Sequence, residues 1–534
     1  MAKTYDLILV FDSGTQSIRA GLVDLNGTLV DTVRTPIQPY FSVQQGFTEQ
    51  EPDYYWKKFC ETSQALIARN ADKMDRVKAV AVTAVRGTYF NLDKNGQALR
   101  PAILWLDQRR IEPVDWAPLH VKAVYGAVGV FPRLDRYYHQ CYSNWIRIHQ
   151  PEIWGKTHKY LLQSGYFHYK LTGEYVETRG NLYGYLPVDR CDYTWAKKND
   201  VVNLLFPIER EKLPALAKQG ETIGKITHQA SLDTGIREGL PLVAAAGDKM
   251  CEVLGDGVIN NDLACLSYGT ASTIDTITEK YLEPKPFVTP YPAAIPGLYM
   301  PELTVSRGFW LVNWFIEQFG MKEQQLGFEK GIPAESFLDD LIRNIPPGSQ
   351  GLMLQPYWFP NIPFAGEEGK GAVIGFSDVH TRGHLYRAIL EGVLYGLKDG
   401  KDILEAKLKK PFKALRVSGG GTKSQVVLQI TADIFNLPTE RLAASESGMV
   451  GAAINTAVGL GYYPDYATAI QSMVHVSQVV QPIARNRDIY NHLYERVYLK
   501  MYKHLEPMYK EIWNIADQFP EEMRKGSATK TSAE

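Results

Sequence analysis

The sequence predicts an α/β protein of two similar lobes, because strand and helix patterns alternate and because one strand–turn–strand pattern occurs twice. Residues 7–22 (LILVFDSGTQSIRAGL) contain an apolar strand, a Gly-Thr-x-Ser turn and a resumed strand. Residues 263–277 (LACLSYGTASTIDTI) repeat that order. The turn glycines, Gly14 and Gly269, each open one half of the 534-residue chain. We therefore expect the second lobe to start near residue 256.

The chain begins with a predicted β-meander. Apolar and β-branched runs at residues 7–11, 18–24 and 28–37 have the composition of strands. Asn26-Gly27 is a dipeptide typical of tight hairpin turns, and it lies between the second and third runs. Three antiparallel strands are therefore expected before the first helix.

Helix and strand patterns alternate after the meander. Residues 53–70 predict a helix with Asp53 as its N-cap, since aspartate accepts hydrogen bonds from a first helical turn. Residues 77–85 predict a buried strand that ends before Arg86. Residues 385–404 predict a second helix. Such alternation is typical of a layered α/β architecture.

A strand at residues 414–418 runs into three consecutive glycines, Gly419 to Gly421. Thr422 or Ser424 then suits the N-cap of an amphipathic helix. The glycines permit two interpretations, which are a close backbone approach to a flat ligand at a helix N-terminus, or a permissive turn.

The predicted domains are a first lobe over residues 1–255, a second over 256–490, and a C-terminal helix with a disordered tail over 491–534. Helical spacing places four apolar side chains on one face, which should pack on the second lobe: Tyr490, Leu493, Val497 and Met501. The aromatic segment 355–364 predicts either a loop at a cleft or a contact between subunits.

Composition excludes several functional classes. The 58 basic and 59 acidic residues leave a formal net charge of −1, which gives no support for a nucleic-acid or membrane-surface partner. Five scattered cysteines form no metal-ligand spacing and suggest a reducing compartment. The first apolar run is too short for a signal peptide. We expect a cytoplasmic protein, and a homodimer is compatible with the sequence.

The two Gly-Thr-x-Ser turns suggest a phosphate site. Turns rich in Gly, Ser and Thr expose backbone N–H groups and hydroxyls that suit phosphate oxygens. Asp12 lies two residues before the first turn glycine, whereas neutral Ser267 occupies the equivalent place in the second copy. A single carboxylate among such turns suits Mg²⁺, which is held by few carboxylates together with phosphates and waters. A plain hairpin turn is the alternative for either copy taken alone.

A second acid, Asp248, follows a strand-like run and stands where a helix should begin. It is either a helix N-cap or a general base, because phosphoryl transfer to an alcohol needs a carboxylate that accepts the hydroxyl proton.

Together these motifs resemble the FGGY family of carbohydrate kinases, within the superfamily of sugar kinases, heat-shock protein 70 and actin. The resemblance extends from residue 5 to about 494 and rests on motifs that occur in the family's order: DSGTQSIRA, AILWLDQR, GDK, SYGTAST, HLYRAILEGVLYGL, VSGGGTKSQ and SESGMVGAA. It implies two ribonuclease-H-like lobes around a deep interlobe cleft, with the sugar deep in the cleft and ATP mainly on the second lobe.

The resemblance also implies roles for individual residues. Asp248 would activate the sugar hydroxyl, and Asp12 and Asp248 are the carboxylates available to Mg²⁺. The phosphates would be met by Gly14, Thr15, Gln16, Gly269 and Thr270. The adenosine site would be lined by Gly420, Gly421 and Ser424. The substrate would be held by Arg86, Trp105, Asp248 and Lys249.

Some residues depart from the family pattern. Val85-Arg86-Gly87 stands where xylulose-type kinases usually have Met-His-Gly, and Lys249 stands where many relatives have Gln or Asn. Lys249 could pair with Asp248 and lower its pKa, or bind an anionic or ketonic substrate.

The expected function is ATP-dependent phosphorylation of a sugar or polyol hydroxyl, with a pentulose such as xylulose or ribulose first. Glycerol, another polyol, a sugar acid or a sugar-like signalling metabolite are alternatives within this class. An actin-like or chaperone-like ATPase is the alternative from another class, because a shared fold does not fix function.

Overall fold

The computed structural model describes residues 5–358, 366 and 368–519. The strands of the first half are β1 (Leu7–Ser13), β2 (Ser17–Asp24), β3 (Leu29–Pro36), β4 (Glu49–Gln50), β5 (Val77–Ala84), β6 (Tyr89–Leu92), β7 (Ala102–Ile103), β8 (Lys159–Leu162), β9 (Val176–Thr178), β10 (Val188–Asp189), β11 (Thr194–Trp195), β12 (Ala215–Ala217), β13 (Thr222–Lys225) and β14 (Pro241–Ala244). Those of the second half are β15 (Leu263–Tyr268), β16 (Ser272–Asp275), β17 (Tyr291–Pro292), β18 (Tyr299–Met300), β19 (Glu302–Val305), β20 (Met353–Gln355), β21 (Ala372–Ile374), β22 (Ala414–Gly419), β23 (Thr439–Leu442) and β24 (Val476–Val480).

The helices surround these strands. They are α1 (Pro52–Arg69), α2 (Leu119–Ala127), α3 (Phe131–Gln140), α4 (Tyr142–His149), α5 (Pro151–Lys156), α6 (Gln163–Thr172), α7 (Val202–Leu205), α8 (His228–Thr234), α9 (Asp248–Gly255), α10 (Trp310–Phe319), α11 (Met321–Lys330), α12 (Leu338–Ile342), α13 (Arg382–Leu408), α14 (Gln425–Phe435), α15 (Ser447–Gly459), α16 (Tyr466–Met473), α17 (Ala484–Leu493) and α18 (Leu499–Gln518).

Each half of the chain builds a six-stranded sheet, and the two sheets share one strand order. The first runs β3-β2-β1-β5-β14-β13 and the second β19-β16-β15-β22-β23-β24. In both, an antiparallel meander is followed by two parallel strands and an antiparallel edge strand. The prediction of two similarly built α/β lobes is confirmed, and the predicted meander is formed by β1, β2 and β3.

The parallel strands place the candidate site. Strands β1, β5 and β14 are parallel neighbours, so their carboxyl ends meet at one edge of the first sheet. Strands β15 and β22 do the same in the second sheet. Ligands of open α/β sheets bind beyond the carboxyl ends of the strands. Most of the predicted site residues come directly after the strands at these ends.

Helix α1 begins earlier than the sequence predicted. Pro52 occupies its first turn, where the missing N–H costs no hydrogen bond, and Glu51 is the N-cap residue without a side-chain cap. Asp53 is therefore a first-turn acid beside the positive end of the helix, and its predicted role as N-cap is wrong.

Between the two sheets lies a layer of small and sulfur-containing side chains. Helices α9 and α15 pack against each other, and α15 also contacts β1 and β5 of the first lobe. A side-chain carbon at Gly451 of α15 would lie 1.8 Å from the carbonyl oxygen of Cys251 in α9. Glycine therefore permits the close approach of the helix that begins with Asp248 to the helix that follows Glu446.

The C-terminal helices pack on the second lobe, as predicted. Tyr490 and Met501 belong to its buried core, and Leu493 and Val497 pack against that core. Residues 520–534, which include the whole of the predicted disordered tail (524–534), and most of the aromatic segment 355–364 lie outside the described residues. Over the described part of the chain, no helix combines the length and apolar character needed to cross a bilayer.

Candidate active site

Asp12, near the end of β1 at the first hairpin, belongs to a chain of ion pairs. The Gly14 N–H donates to the Ser17 carbonyl at 3.1 Å and closes the turn. Arg19, on the returning strand β2, donates to Asp12 at 3.3 Å and to Glu446 at 2.6 Å. Because Glu446 directly precedes α15, this arginine joins the first hairpin to the second half of the chain.

Asp12 sits in an environment that resists a negative charge. The pKa of Asp12 is raised to about 7, mainly by burial; the charge of Arg19 opposes the rise, and the carboxylates of Asp248, Glu446 and Glu252 add to it. A concentration of carboxylates of this kind attracts a cation, which fits the Mg²⁺ expected beside a phosphate chain.

Asp248 is the first residue of α9, and Gly247 occupies the N-cap position. Its Oδ1 accepts a hydrogen bond from the Lys249 N–H at 2.8 Å, and the Arg86 Nε lies 3.8 Å from the same oxygen. The side chain is 37 % exposed, so a substrate can reach it. Burial raises the pKa of Asp248, and the charges of Arg86 and Lys249 oppose this rise. The carboxylate is both reachable and more basic than an ordinary aspartate.

Arg86 lies beside Asp248, and Trp105 lies close to Gly87, the residue that follows Arg86. The Arg86 guanidinium lies over the Tyr291 ring at 4.2 Å, and Trp105 is 45 % exposed. The indole N–H of Trp105 donates to the Thr15 hydroxyl at 3.0 Å, and this hydrogen bond connects Trp105 to the first Gly-Thr turn. An exposed tryptophan beside an arginine and a carboxylate offers a stacking face and polar groups, as sugar binding requires.

Lys249 is engaged by groups other than the Asp248 carboxylate. Its ammonium donates to Glu252 at 2.7 Å and to Ser267 at 2.6 Å. Burial alone would lower the pKa of Lys249, but the carboxylates of Glu252 and Asp275 raise it. The lysine therefore stays charged and links α9 to β15, the strand that leads into the second Gly-Thr turn.

The second hairpin lies against the start of α10. The Gly269 carbonyl accepts from the Phe309 N–H at 3.1 Å, and the Thr270 carbonyl accepts from the Trp310 N–H at 3.4 Å. These bonds use the carbonyl groups of the turn as acceptors. The N–H groups and hydroxyls of the turn are left as donors for a ligand.

The triple glycine lies beside the second hairpin because β15 and β22 pair in parallel, with Tyr268 opposite Gly419. Gly419 adopts a φ of 87°, a conformation that favours glycine. A side-chain carbon at Gly421 would lie 2.5 Å from the Phe309 ring. The Ser424 hydroxyl accepts from the Val427 N–H at 3.1 Å and is the predicted cap of α14.

Most of the predicted residues thus follow strands at the carboxyl ends of the two six-stranded sheets, whereas Trp105 follows β7 of a separate four-stranded sheet. The structure adds charged residues that the sequence did not single out as site residues: Arg19, Glu252, Glu302 and Glu446. Arg19 and Glu446 lie inside the motifs DSGTQSIRA and SESGMVGAA, on which the resemblance to the family rests, and this was the available signal. Within the described ranges, no group of three or more His, Cys, Asp or Glu residues forms a metal site made by protein alone.

Two lobes of one topology, each with a Gly-Thr turn at the edge of its sheet, together with a reachable carboxylate, form the arrangement expected of a phosphotransferase. The chain belongs to the FGGY family of carbohydrate kinases: the N-terminal domain of that family matches residues 7–255 and the C-terminal domain matches residues 264–460. It is therefore a phosphotransferase with an alcohol group as acceptor, and sugar kinases of this family use ATP.

Similar proteins extend over almost the whole chain. An uncharacterized sugar kinase of Escherichia coli is 29 % identical over 517 residues, covering 96 % of both chains. A xylulose kinase of Staphylococcus epidermidis is 26 % identical and covers 96 % of this chain and 99 % of its own. The crystal structure of a xylulose kinase from Rhodospirillum rubrum superposes with a TM-score of 0.78 at 27 % identity, over 94 % of this chain and 100 % of its own.

Proposed function

We propose that this protein transfers the γ-phosphate of ATP to a hydroxyl of a pentulose such as xylulose or ribulose. The observation that carries this proposal is the reachable Asp248 carboxylate, which lies beside Arg86. Arg86 follows β5 at the edge of the first sheet where β1 also ends, and β1 leads into the first proposed phosphate turn. The xylulose kinases among the similar proteins support the choice of a five-carbon ketose.

In the proposed reaction, Asp248 is the general base. A bond forms between the sugar oxygen and the γ-phosphorus, the bond from that phosphorus to the bridging oxygen breaks, and the hydroxyl proton passes to Asp248. The raised pKa of Asp248 suits this task, because a more basic carboxylate accepts the proton more readily. Arg86, Trp105 and Lys249 are the remaining predicted substrate contacts, and Lys249 acts from its position between Glu252 and Ser267.

The two turns provide the phosphate contacts. Backbone N–H groups and hydroxyls would be presented by Thr15, Gln16, Gly269 and Thr270, while Gly14 would shape the first turn, which its own N–H closes. The nucleoside would lie against Gly420, Gly421 and Ser424. Asp12, with Asp248 beside it, would hold a Mg²⁺ ion that neutralises phosphate charge when bound. The buried, carboxylate-rich surroundings of Asp12 fit such an ion.

The first test replaces Asp248 by Asn and measures sugar-dependent ADP release. Turnover should fall by about 10²- to 10⁴-fold, since the proton acceptor is lost while the shape is kept. Asp465→Asn is a matched control: Asp465 accepts from the Thr468 N–H at the start of α16, so it reproduces the loss of a helix-start acid. Near-normal turnover of Asp248→Asn would refute the role as base.

The second test compares ATP turnover with and without a panel of pentuloses, polyols, glycerol and sugar acids. A pentulose should stimulate turnover most strongly. Stimulation by glycerol or a sugar acid alone would transfer the proposal to that substrate, and equal hydrolysis with every member of the panel would favour the actin-like or chaperone-like ATPase.

A further inference from the structure

Arg86 of the first lobe is surrounded by acidic and aromatic groups from both lobes. Its Nε lies 3.8 Å from Asp248, and its Nη2 lies 3.8 Å from Glu302. Tyr291 lies under the guanidinium, and the ring of Tyr183 packs on Tyr291 at 4.0 Å. Glu302 and Tyr291 both come from the second half of the chain, so the lobes meet at this arginine.

Glu302 is a desolvated charge with an unused acceptor. Its side chain is only 6 % exposed, and one carboxylate oxygen accepts from the Thr304 hydroxyl at 3.0 Å. The other oxygen makes no hydrogen bond to any described residue, and neither does the Nη1 of Arg86. A buried donor and a buried acceptor that lack partners are costly unless a ligand satisfies them. A hydroxyl can do both, because it donates and accepts.

The charges of this cluster sum to a negative value. Arg86 carries one positive charge, Asp248 and Glu302 carry two negative ones, and the adjacent Lys249–Glu252 ion pair adds no net charge. Arg86 alone would attract a carboxylate of the substrate by a bidentate contact. With Glu302 held in a low-dielectric position beside it, a carboxylate at the same place meets net repulsion.

We propose that Glu302 is a specificity-determining residue that restricts this kinase to neutral sugars and polyols and disfavours sugar acids. The inference rests on the proposed function, because it takes Arg86 and Asp248 as substrate contacts. Glu302 acts through Arg86. Its negative charge offsets the attraction of the Arg86 guanidinium for anions, while the N–H groups of Arg86 stay available to hydroxyls.

The test compares Glu302→Gln with wild type on a pentulose and on the five-carbon aldonate, each with ATP, by kcat/KM. Wild type should prefer the pentulose. In Glu302→Gln the ratio of aldonate to pentulose kcat/KM should rise by about tenfold or more, since one like charge is removed. Glu302→Asp keeps the charge and should keep the wild-type preference. Glu323→Gln is the matched control: Glu323 is as buried in the same lobe and pairs with another arginine, Arg382, at 2.7 Å.

The outcomes separate the inference from the proposed function. If wild type phosphorylates the pentulose and Glu302→Gln leaves the ratio unchanged, or shifts it no more than Glu323→Gln, the role of Glu302 is refuted and the function stands. If wild type prefers the aldonate, both are refuted. If Glu302→Gln fails to fold, the ratio of aldonate to pentulose kcat/KM is compared between Glu302→Asp and Arg86→Lys. Loss of the preference for the pentulose in Glu302→Asp then overturns the inference.

Discussion

At the scale of the single residue, Asp12 shows how one carboxylate can favour function while opposing stability. Its pKa of about 7 in the folded chain exceeds the ordinary value of 3.8, mainly because of burial. The folded state therefore binds the proton more tightly than the unfolded state. The ionised carboxylate costs stability in full above pH 7, and this cost declines as the pH falls from about 7 toward 3.8, below which Asp12 is protonated in both states.

The variant Asp12→Asn should separate the two effects. At pH 8 its thermal midpoint should exceed that of wild type, and the excess should be smaller at pH 5.5, where Asp12 is protonated in the folded state but still ionised in the unfolded state. Kinase turnover should fall by roughly 10- to 100-fold, because a carboxylate expected to serve the metal is lost. Arg19 keeps its partner Glu446, so its own pairing survives. Full activity, or a gain in midpoint confined to pH 5.5, would contradict this account.

At the scale of the element, the contact of α9 with α15 fixes where Asp248 stands. Gly255 and Gly451 let the two helix backbones touch, and a side-chain carbon at either position would overlap the other helix. The helix that carries the candidate base is therefore positioned by backbone contact.

The variant Gly451→Ala should test this contact. It should lower the free energy of unfolding by about 1–3 kcal/mol through overpacking, and it should reduce kcat because α9 is displaced. Gly126→Ala is the control, since no atom lies within 4 Å of a side-chain carbon at that helical position. The control should be neutral or slightly stabilising. Equal stability of both variants, measured by urea unfolding, would refute the role of the contact.

The elements that could be predicted are those with a local signal. The hairpin at Gly14, the start of α9 at Asp248 and the cap at Ser424 each depend on neighbours within a few residues. The pairs Arg19–Glu446 and Arg86–Glu302 could not be predicted, because they form only when the two lobes dock. The partner of Lys249 was likewise hidden: Asp248 is adjacent in sequence, but Ser267 is adjacent in space.

At the scale of the whole molecule, the lobes are joined by a polar chain that runs beside the reaction site. Lys249 donates to Ser267 of β15, and Glu252, one turn further along α9, accepts from the Lys249 ammonium and from the Ser418 hydroxyl of β22. The helix of the candidate base is thereby connected to both strands that lead into the second lobe's turns.

The variant Lys249→Met should lower the free energy of unfolding of the whole protein. It leaves Glu252 as a buried charge without its cation, which should cost about 3–5 kcal/mol. The double variant Lys249→Met/Glu252→Gln should recover part of this loss, as measured by thermal unfolding. If Lys249 instead only contacts the sugar, the single variant should raise the KM for the sugar and leave the thermal midpoint unchanged.

The shared strand order of the two sheets gives the molecule an internal pseudosymmetry, in which Asp12 and Ser267 occupy equivalent places. Two identical turns facing one another would offer a chain of phosphates two orientations of equal energy. A carboxylate on one side and, on the other, a hydroxyl bound to a lysine remove that degeneracy. The Asp12–Ser267 difference thus contributes to a polarity of the duplicated scaffold, in which one end can face the donor and the other the acceptor.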